Sequence, residues 1–281
     1  MKLEIISRYP SDGARSTPLL FVHGALHGAW CWAVHFLDYF ARHGFAAHAV
    51  NLRGHGNSEG HDRLRWTRIG DFVEDLTNAA RLLPSPPILI GHSMGGVIIE
   101  KYLEDHSAPA AVLLTTPPPT GLLPAAVRIA KRHPLLFARI NLTLSLYPLV
   151  RTPALAREAF FSEDLPDERL LEYWGQMQDD SFLGFLDMVA LNLPKPPKRP
   201  TPLLVLGAAR DNMLQRSEIQ ATARAYSTQA EIIPEVAHNM MIELRWQTVA
   251  ERILVWLEER EVVKHGDAAE QGGARRVSSI R

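Results

Sequence analysis

In "ILIGHSMGGVIIEKYLED", Gly91, Ser93 and Gly95 stand in the spacing G-x-S-x-G, between an aliphatic run and a segment of helical periodicity. A serine at a sharp strand-to-helix turn is held in a strained conformation, and the chain packs there only if small residues lie two before and two after it. Gly91 and Gly95 satisfy that condition. The helix that follows would aim its N-terminal partial charge at the place where an oxyanion forms. Ser93 is therefore a candidate nucleophile for acyl transfer; the competing reading is a glycine-rich turn with an idle serine.

A serine hydroxyl attacks poorly at neutral pH without a base in hydrogen-bond reach and a third group that fixes the base's tautomer. In the chain order that accompanies this turn, the acid follows the serine and the histidine comes last. After the last aliphatic run the histidines are His238 and His265, and only His238, in "EVAHNMMIEL", follows that run directly. Taken alone, a histidine beside methionines and an isoleucine is more often packing than chemistry. Its placement relative to Ser93 makes it the candidate base. The run "PLLVLG" ends in "AARDNML", which supplies Asp211 as the candidate acid. Asp211 could instead cap the helix expected near Leu214, but it lies early for that task. Glu235, on the same short loop as His238, ranks below it.

Acyl transfer also needs two backbone donors for the oxyanion. The amide of Met94, directly after Ser93, is one candidate. The loop "VHGALHGAW" supplies the other, the amide of Ala25, with Gly24 allowing close approach of the backbone. His23, His27 and His92 read as structural hydrogen-bonding residues.

These groups converge only if several strand ends share one edge. Aliphatic runs at 19–23, 46–50, 87–92, 110–115, 202–207 and 230–234 alternate with helical patterns at 30–43, 67–83, 94–105 and 239–259. The alternation predicts an α/β architecture with a mostly parallel, doubly wound sheet, whose parallel strands end on one side. Residues 117–200 break the pattern. They open on "PPPTGLLP", close on "LPKPPKRPTP" and are helical and apolar between, which predicts a helical cap inserted into a core formed by residues 1–116 and 201–263. Leu135, Phe137, Ile140, Leu142, Leu144 and Leu146, then Phe160, Phe161, Trp174, Met177, Phe182, Phe185 and Met188 are numerous apolar residues for such a segment; each either holds the cap together or lines an acyl pocket over the sheet edge. Residues 264–281 lack apolar periodicity and are expected to form a disordered tail.

Composition narrows the partners. With 30 basic and 31 acidic residues in a chain of 281, the net charge of -1 disfavours a nucleic-acid role. The only cysteine, Cys31, cannot form an intrachain disulfide, and the start carries Lys2 and Glu4 in place of an apolar signal core. A cytoplasmic protein is expected. No run of 18 uncharged apolar residues is present, so no stable membrane insertion is expected. Nothing in the pattern fixes an oligomeric state.

"HGA" at 23–25, "GHSMGG" at 91–96, and "RD" then "AHNMM" within 210–241 resemble, in that order, the α/β-hydrolase superfamily, and the likeness covers nearly the whole chain apart from the tail. The segment "NLRGHGNSEG" is similar to the family's glycine-rich loop after its fourth strand. The resemblance implies cofactor-free hydrolysis of carboxylic esters, with no metal. Ser93 departs from the haloalkane dehalogenases and epoxide hydrolases of the superfamily, which use aspartate at that position. "VHGALHGAWCW" is similar to the opening of plant methylesterases and hydroxynitrile lyases, but Asn239 stands where the lyases carry lysine. "NLRGHGNSEG" and "GHSMGG" look like bacterial esterases and monoacylglycerol-lipase-type enzymes.

The expectation is a serine carboxylesterase acting through Ser93, His238 and Asp211 on a small-molecule ester with an apolar acyl group of medium or greater length. A lactonase, a thioesterase or a cofactor-free perhydrolase would use the same residues. A hydroxynitrile lyase and a non-catalytic ligand receptor rank behind these.

Overall fold

The computed structural model describes residues 1–12 and 15–274, with side chains described up to residue 260. Seven strands form one sheet: β1 (Ile5–Arg8), β2 (Leu19–Val22), β3 (Ala47–Val50), β4 (Ile88–His92), β5 (Ala111–Leu114), β6 (Leu203–Ala208) and β7 (Ala230–Ile233). Their spatial order is β1-β3-β2-β4-β5-β6-β7. All neighbours pair in parallel except β1, which runs antiparallel along β3 with Ile5 opposite Val50. The six aliphatic runs are the six parallel strands. β1 is the addition: its four residues are only half-buried or exposed at the sheet edge, and its two isoleucines give way at once to Ser7 and Arg8.

Both faces of the sheet are covered, as its aliphatic strands require. Within β2, Leu19 and Phe21 point into one layer with Trp32, Phe36, Phe40 and Ile253, while Leu20 and Val22 point into the other with Phe72, Ile98 and Ile219. The first layer is built by α1 (Trp30–Ala33), α2 (Phe36–Arg42) and the last helix; the second by α3 (Ile69–Arg81), α4 (Met94–Leu103) and the helix that follows β6. The helix expected at 30–43 is two, because His35 leaves helical backbone at φ -142° and restarts the chain as the N-cap of α2.

Between β5 and β6 the chain forms α5 (Leu123–Arg132), α6 (Pro134–Thr143), α7 (Pro153–Phe160), α8 (Asp167–Trp174) and α9 (Phe182–Leu186), then a π-turn over Asp187–Leu191. Prolines at the first turn of α5, α6 and α7 start those helices where a backbone N–H would have no partner. After β6 come α10 (Arg216–Ala225) and, beyond β7, α11 (Trp246–Ala274).

The expected start of the last helix at Asn239 is corrected to Trp246. The amide of Asn239 donates to the distant Phe160 carbonyl at 3.0 Å, and that of Met240 to His238 two residues back at 2.9 Å, neither of which is a helical bond. Met240 and Met241 are buried there, ahead of the helix. The tail expected from Lys264 falls partly on the last turns of α11, whose side chains lie outside the described residues, and partly on residues 275–281, which also lie outside them. No helix among the described residues is long and apolar enough to cross a membrane.

Candidate active site

Ser93 stands between β4 and α4 with φ 51° and ψ -116°. Such a positive φ is uncommon for a residue with a side chain and costs on the order of 1–3 kcal/mol, so surrounding structure must enforce it. The enforcement is close packing. A Cβ on Gly91 would lie 2.6 Å from the Gly95 carbonyl group, and one on Gly95 would lie 2.3 Å from the Val22 carbonyl oxygen of β2. The Ser93 amide donates to Leu114 of β5 at 2.9 Å, which ties the turn to the neighbouring strand.

His238 sits on the loop after β7, and its Nδ1 donates to Asp211 Oδ2 at 2.9 Å. Because a carboxylate accepts, this contact places a proton on Nδ1, the tautomer whose Nε2 can serve as the base. Both side chains are buried. The His238 carbonyl accepts from His92 Nε2 at 2.9 Å and from Thr115 Oγ1 at 3.1 Å. The imidazole therefore has backbone and ring both anchored.

Asp211, on the loop after β6, uses its second oxygen on its own chain: Oδ1 accepts from the amides of Met213 at 2.7 Å and Leu214 at 3.0 Å. It is not the cap of α10, whose N-cap is Gln215 in a capping box with Glu218. Glu235 turns away from His238, pairing with Arg245 at 2.7 Å.

Ser93 and His238 line one cavity together with Ala25, Leu26, His92 and Met213. The segment between β5 and β6 supplies much of the remaining wall, including Leu122, Ile129, Phe137, Ile140, Phe160 and Met188. The Phe160 ring lies 5.5 Å from that of His238. Residue types alone left the apolar cap residues unsorted. Phe137, Ile140, Leu146, Phe160, Phe185 and Met188 face the cavity, whereas Phe161, Met177 and Phe182 are packed in the core and Leu135 and Leu142 are exposed.

The loop bearing Ala25 is pinned peptide by peptide. His23 Nδ1 donates to the Gly24 carbonyl at 2.9 Å, and His27 Nδ1 donates to the Ala25 carbonyl at 2.7 Å. The far nitrogens accept, His23 Nε2 from the Leu52 amide and His27 Nε2 from Asn239 Nδ2. Both rings must be neutral for this, and burial pushes His23 down to about 3 and His27 down to about 4. Leu26, at φ 67°, gives its amide to Asp180 Oδ2 at 2.7 Å. The amides of Ala25 and Met94 donate to no protein acceptor among the described residues.

Asp180 is the residue that sequence reasoning missed. It is fully buried, lies between β5 and β6 in the chain, and also receives His55 Nε2 at 3.1 Å from the glycine-rich loop. Burial alone would push His55 down and Asp180 up; their mutual attraction reverses both, raising His55 and lowering Asp180. Nothing in "MQDDSF" marks this aspartate, because its partners lie far away in sequence. Among the described residues no group of three or more His, Cys, Asp or Glu side chains is arranged to hold a metal ion.

A model of the Alpha/beta hydrolase family matches residues 19–252. The chain belongs to that family. Protein phosphatase methylesterase 1 of Bos taurus is 37% identical over 109 residues, which are 37% of this chain and 28% of that protein. Monoacylglycerol lipase of Mycolicibacterium smegmatis is 32% identical over 106 residues, 34% of this chain and 41% of that one. The hydrolase match thus spans less than half the length of either curated relative. Among solved structures, an esterase from Exiguobacterium antarcticum superposes with a TM-score of 0.68 at 16% identity, covering 91% of this chain and 95% of that one. Within this hydrolase fold, the parallel strands bring Ala25, Ser93, Asp211 and His238 to a single edge.

Proposed function

We propose that the chain is a serine hydrolase of carboxylic esters that works through an acyl-enzyme on Ser93. The observation that carries this reading is the Asp211–His238 hydrogen bond, placed so that His238 faces the same cavity as Ser93. Ser93 Oγ attacks the ester carbonyl carbon while His238 Nε2 takes the hydroxyl proton. The carbonyl oxygen becomes an oxyanion held by the Ala25 and Met94 amides. As the tetrahedral adduct collapses, the C–O bond to the alcohol breaks and His238 returns the proton to the leaving oxygen. Water, deprotonated by the same ring, then attacks the acyl carbon; the bond to Ser93 Oγ breaks and His238 gives the proton to Oγ, releasing the acid and restoring Ser93.

The curated relatives named for ester hydrolysis and the esterase neighbour support the reaction class. The apolar wall supplied by the insertion supports an apolar acyl group of medium or greater length. A lactone or acyl-thioester would meet the same groups. Asn239 argues against the lyase reading, since its side chain is spent on His27. The test is hydrolysis of p-nitrophenyl esters by the parent and by Ser93→Ala. The variant should lose several orders of magnitude in kcat; equal rates would refute the proposal. A panel of short esters, long esters, lactones and acyl-thioesters then ranks the substrates.

A further inference from the structure

The cap carries charge and apolar surface that the proposed chemistry does not use. From His106 to Arg157 the chain has no aspartate or glutamate, yet it holds Arg128, Lys131, Arg132, Arg139, Arg151 and Arg157. The chain-wide net charge of -1 conceals this segregation. Arg128 is bound by Glu218, Arg132 by Glu158 and Arg157 by Asp167. Lys131, Arg139 and Arg151 are exposed and form no ion pair among the described residues.

On α6, Leu135 is 87% exposed and Leu142 85%. Seven residues apart at about 100° per residue, they leave the helix on one face, and Arg139 between them lies on that face too. The adjoining helix α5 adds Leu123 and Val127, one turn apart and exposed. Single exposed leucines need no explanation, but an apolar array framed by cations is the pattern of a helix lying in an anionic lipid interface.

This face adjoins the wall of the Ser93 cavity. A shallow groove lined by Leu135, Arg139 and Arg151 shares Leu136 and Leu155 with a pocket rimmed by Arg128, Arg132 and His133. That pocket in turn shares Ile129, Leu149 and Met213 with the cavity. Apolar side chains thus recur between the outer face of α6 and the cavity wall.

We propose that the outer face of α5 and α6 docks peripherally on an anionic lipid bilayer. Leu135 and Leu142 enter the boundary between headgroups and acyl chains, and Lys131, Arg139 and Arg151 meet lipid phosphates. The docking itself does not depend on the esterase reading, and the two are measured separately.

The test is co-sedimentation of the full chain with vesicles of phosphatidylcholine alone and of phosphatidylcholine mixed with phosphatidylglycerol. The mixed vesicles should bind at least about tenfold better at low salt, with the difference shrinking as salt is added. Leu135→Ser combined with Leu142→Ser should lower binding about tenfold or more, and Arg139→Glu severalfold, with thermal unfolding unchanged in both. Absence of vesicle binding by the parent, equal binding to both vesicles, or parent-like binding by the leucine double variant would overturn the proposal. So would a concentration-dependent dimer in sedimentation velocity that the double variant dissolves, because a second copy would then be what covers this face. Loss of ester turnover with vesicle binding intact would count against the esterase reading alone.

Discussion

Asp211 divides its carboxylate, holding the His238 ring with Oδ2 and its own turn, through the Met213 and Leu214 amides, with Oδ1. The candidate acid is thus oriented by the loop that presents it. Asp211→Asn keeps an acceptor for the turn but can offer an amide to His238, which then shows Ser93 the wrong tautomer. Its kcat on a p-nitrophenyl ester should fall about ten-thousandfold, with the urea midpoint close to that of the parent. Asp211→Ala should lose comparable activity and also stability, because two turn amides lose their acceptor. A parent-like kcat in Asp211→Asn would remove Asp211 from the account.

Asp180 reaches from the insertion to the amide of Leu26, directly after Ala25. Releasing that peptide frees the loop that carries a proposed oxyanion donor. Asp180→Ala should lower kcat about ten- to a hundredfold with KM changed little. It should also destabilise the protein, by about 3–5 kcal/mol, as expected when one partner of a buried ion pair is removed. Urea unfolding and steady-state kinetics at low temperature separate the two effects. A kcat equal to the parent's in folded Asp180→Ala would show that the loop holds its shape without this bond.

The wall formed by Ile129, Ile140 and Met188 should set acyl length. Ile140→Trp fills the cavity. The ratio of kcat/KM for octanoate over acetate esters is expected to drop about tenfold or more, since a few methylenes lose their apolar contact. An unchanged ratio would place the acyl chain elsewhere.

Acid should destabilise the fold through its buried neutral histidines. Burial, aided by neighbouring histidines, holds His23 at about 3 and His27 at about 4, and puts His92 well below the ordinary 6.5. The unfolded chain binds these protons near pH 6.5 and the folded chain does not, so stability is present above that value and is lost as pH falls through the folded values. Each histidine contributes about 1.4 kcal/mol per pH unit over its window. The His55–Asp180 pair has the opposite histidine sign. With His55 raised, its contribution is present below 6.5 and lost as pH rises through the folded value; with Asp180 lowered, its contribution is lost only in strong acid. Urea midpoints should fall steadily from pH 7 to pH 5. A flat profile would show that these rings take up protons in the folded state.

Legibility in the sequence followed the physics of burial. The six parallel strands read directly from their aliphatic runs, even β7, an edge strand with mostly half-buried residues; β1, whose two isoleucines give way to Ser7 and Arg8, did not. Asn239 to Glu243 looked like helix because periodicity records side chains and cannot see that the Asn239 amide is spent on Phe160. Ser93, Asp211 and His238 were legible because each follows a strand on the same edge. Asp180 was not, since its contact with Leu26 joins the insertion to the start of the sheet. Leu135 and Phe137, two residues apart on one helix, face solvent and cavity respectively, a distinction that composition cannot supply.

Intact-mass analysis after treatment with a serine-directed fluorophosphonate reads out the nucleophile itself. One adduct is expected, mapped to the peptide containing Ser93, formed by the parent, absent from Ser93→Ala and strongly slowed in His238→Ala. An adduct on another residue, or unchanged labelling of Ser93→Ala, would contradict the role of Ser93 as nucleophile.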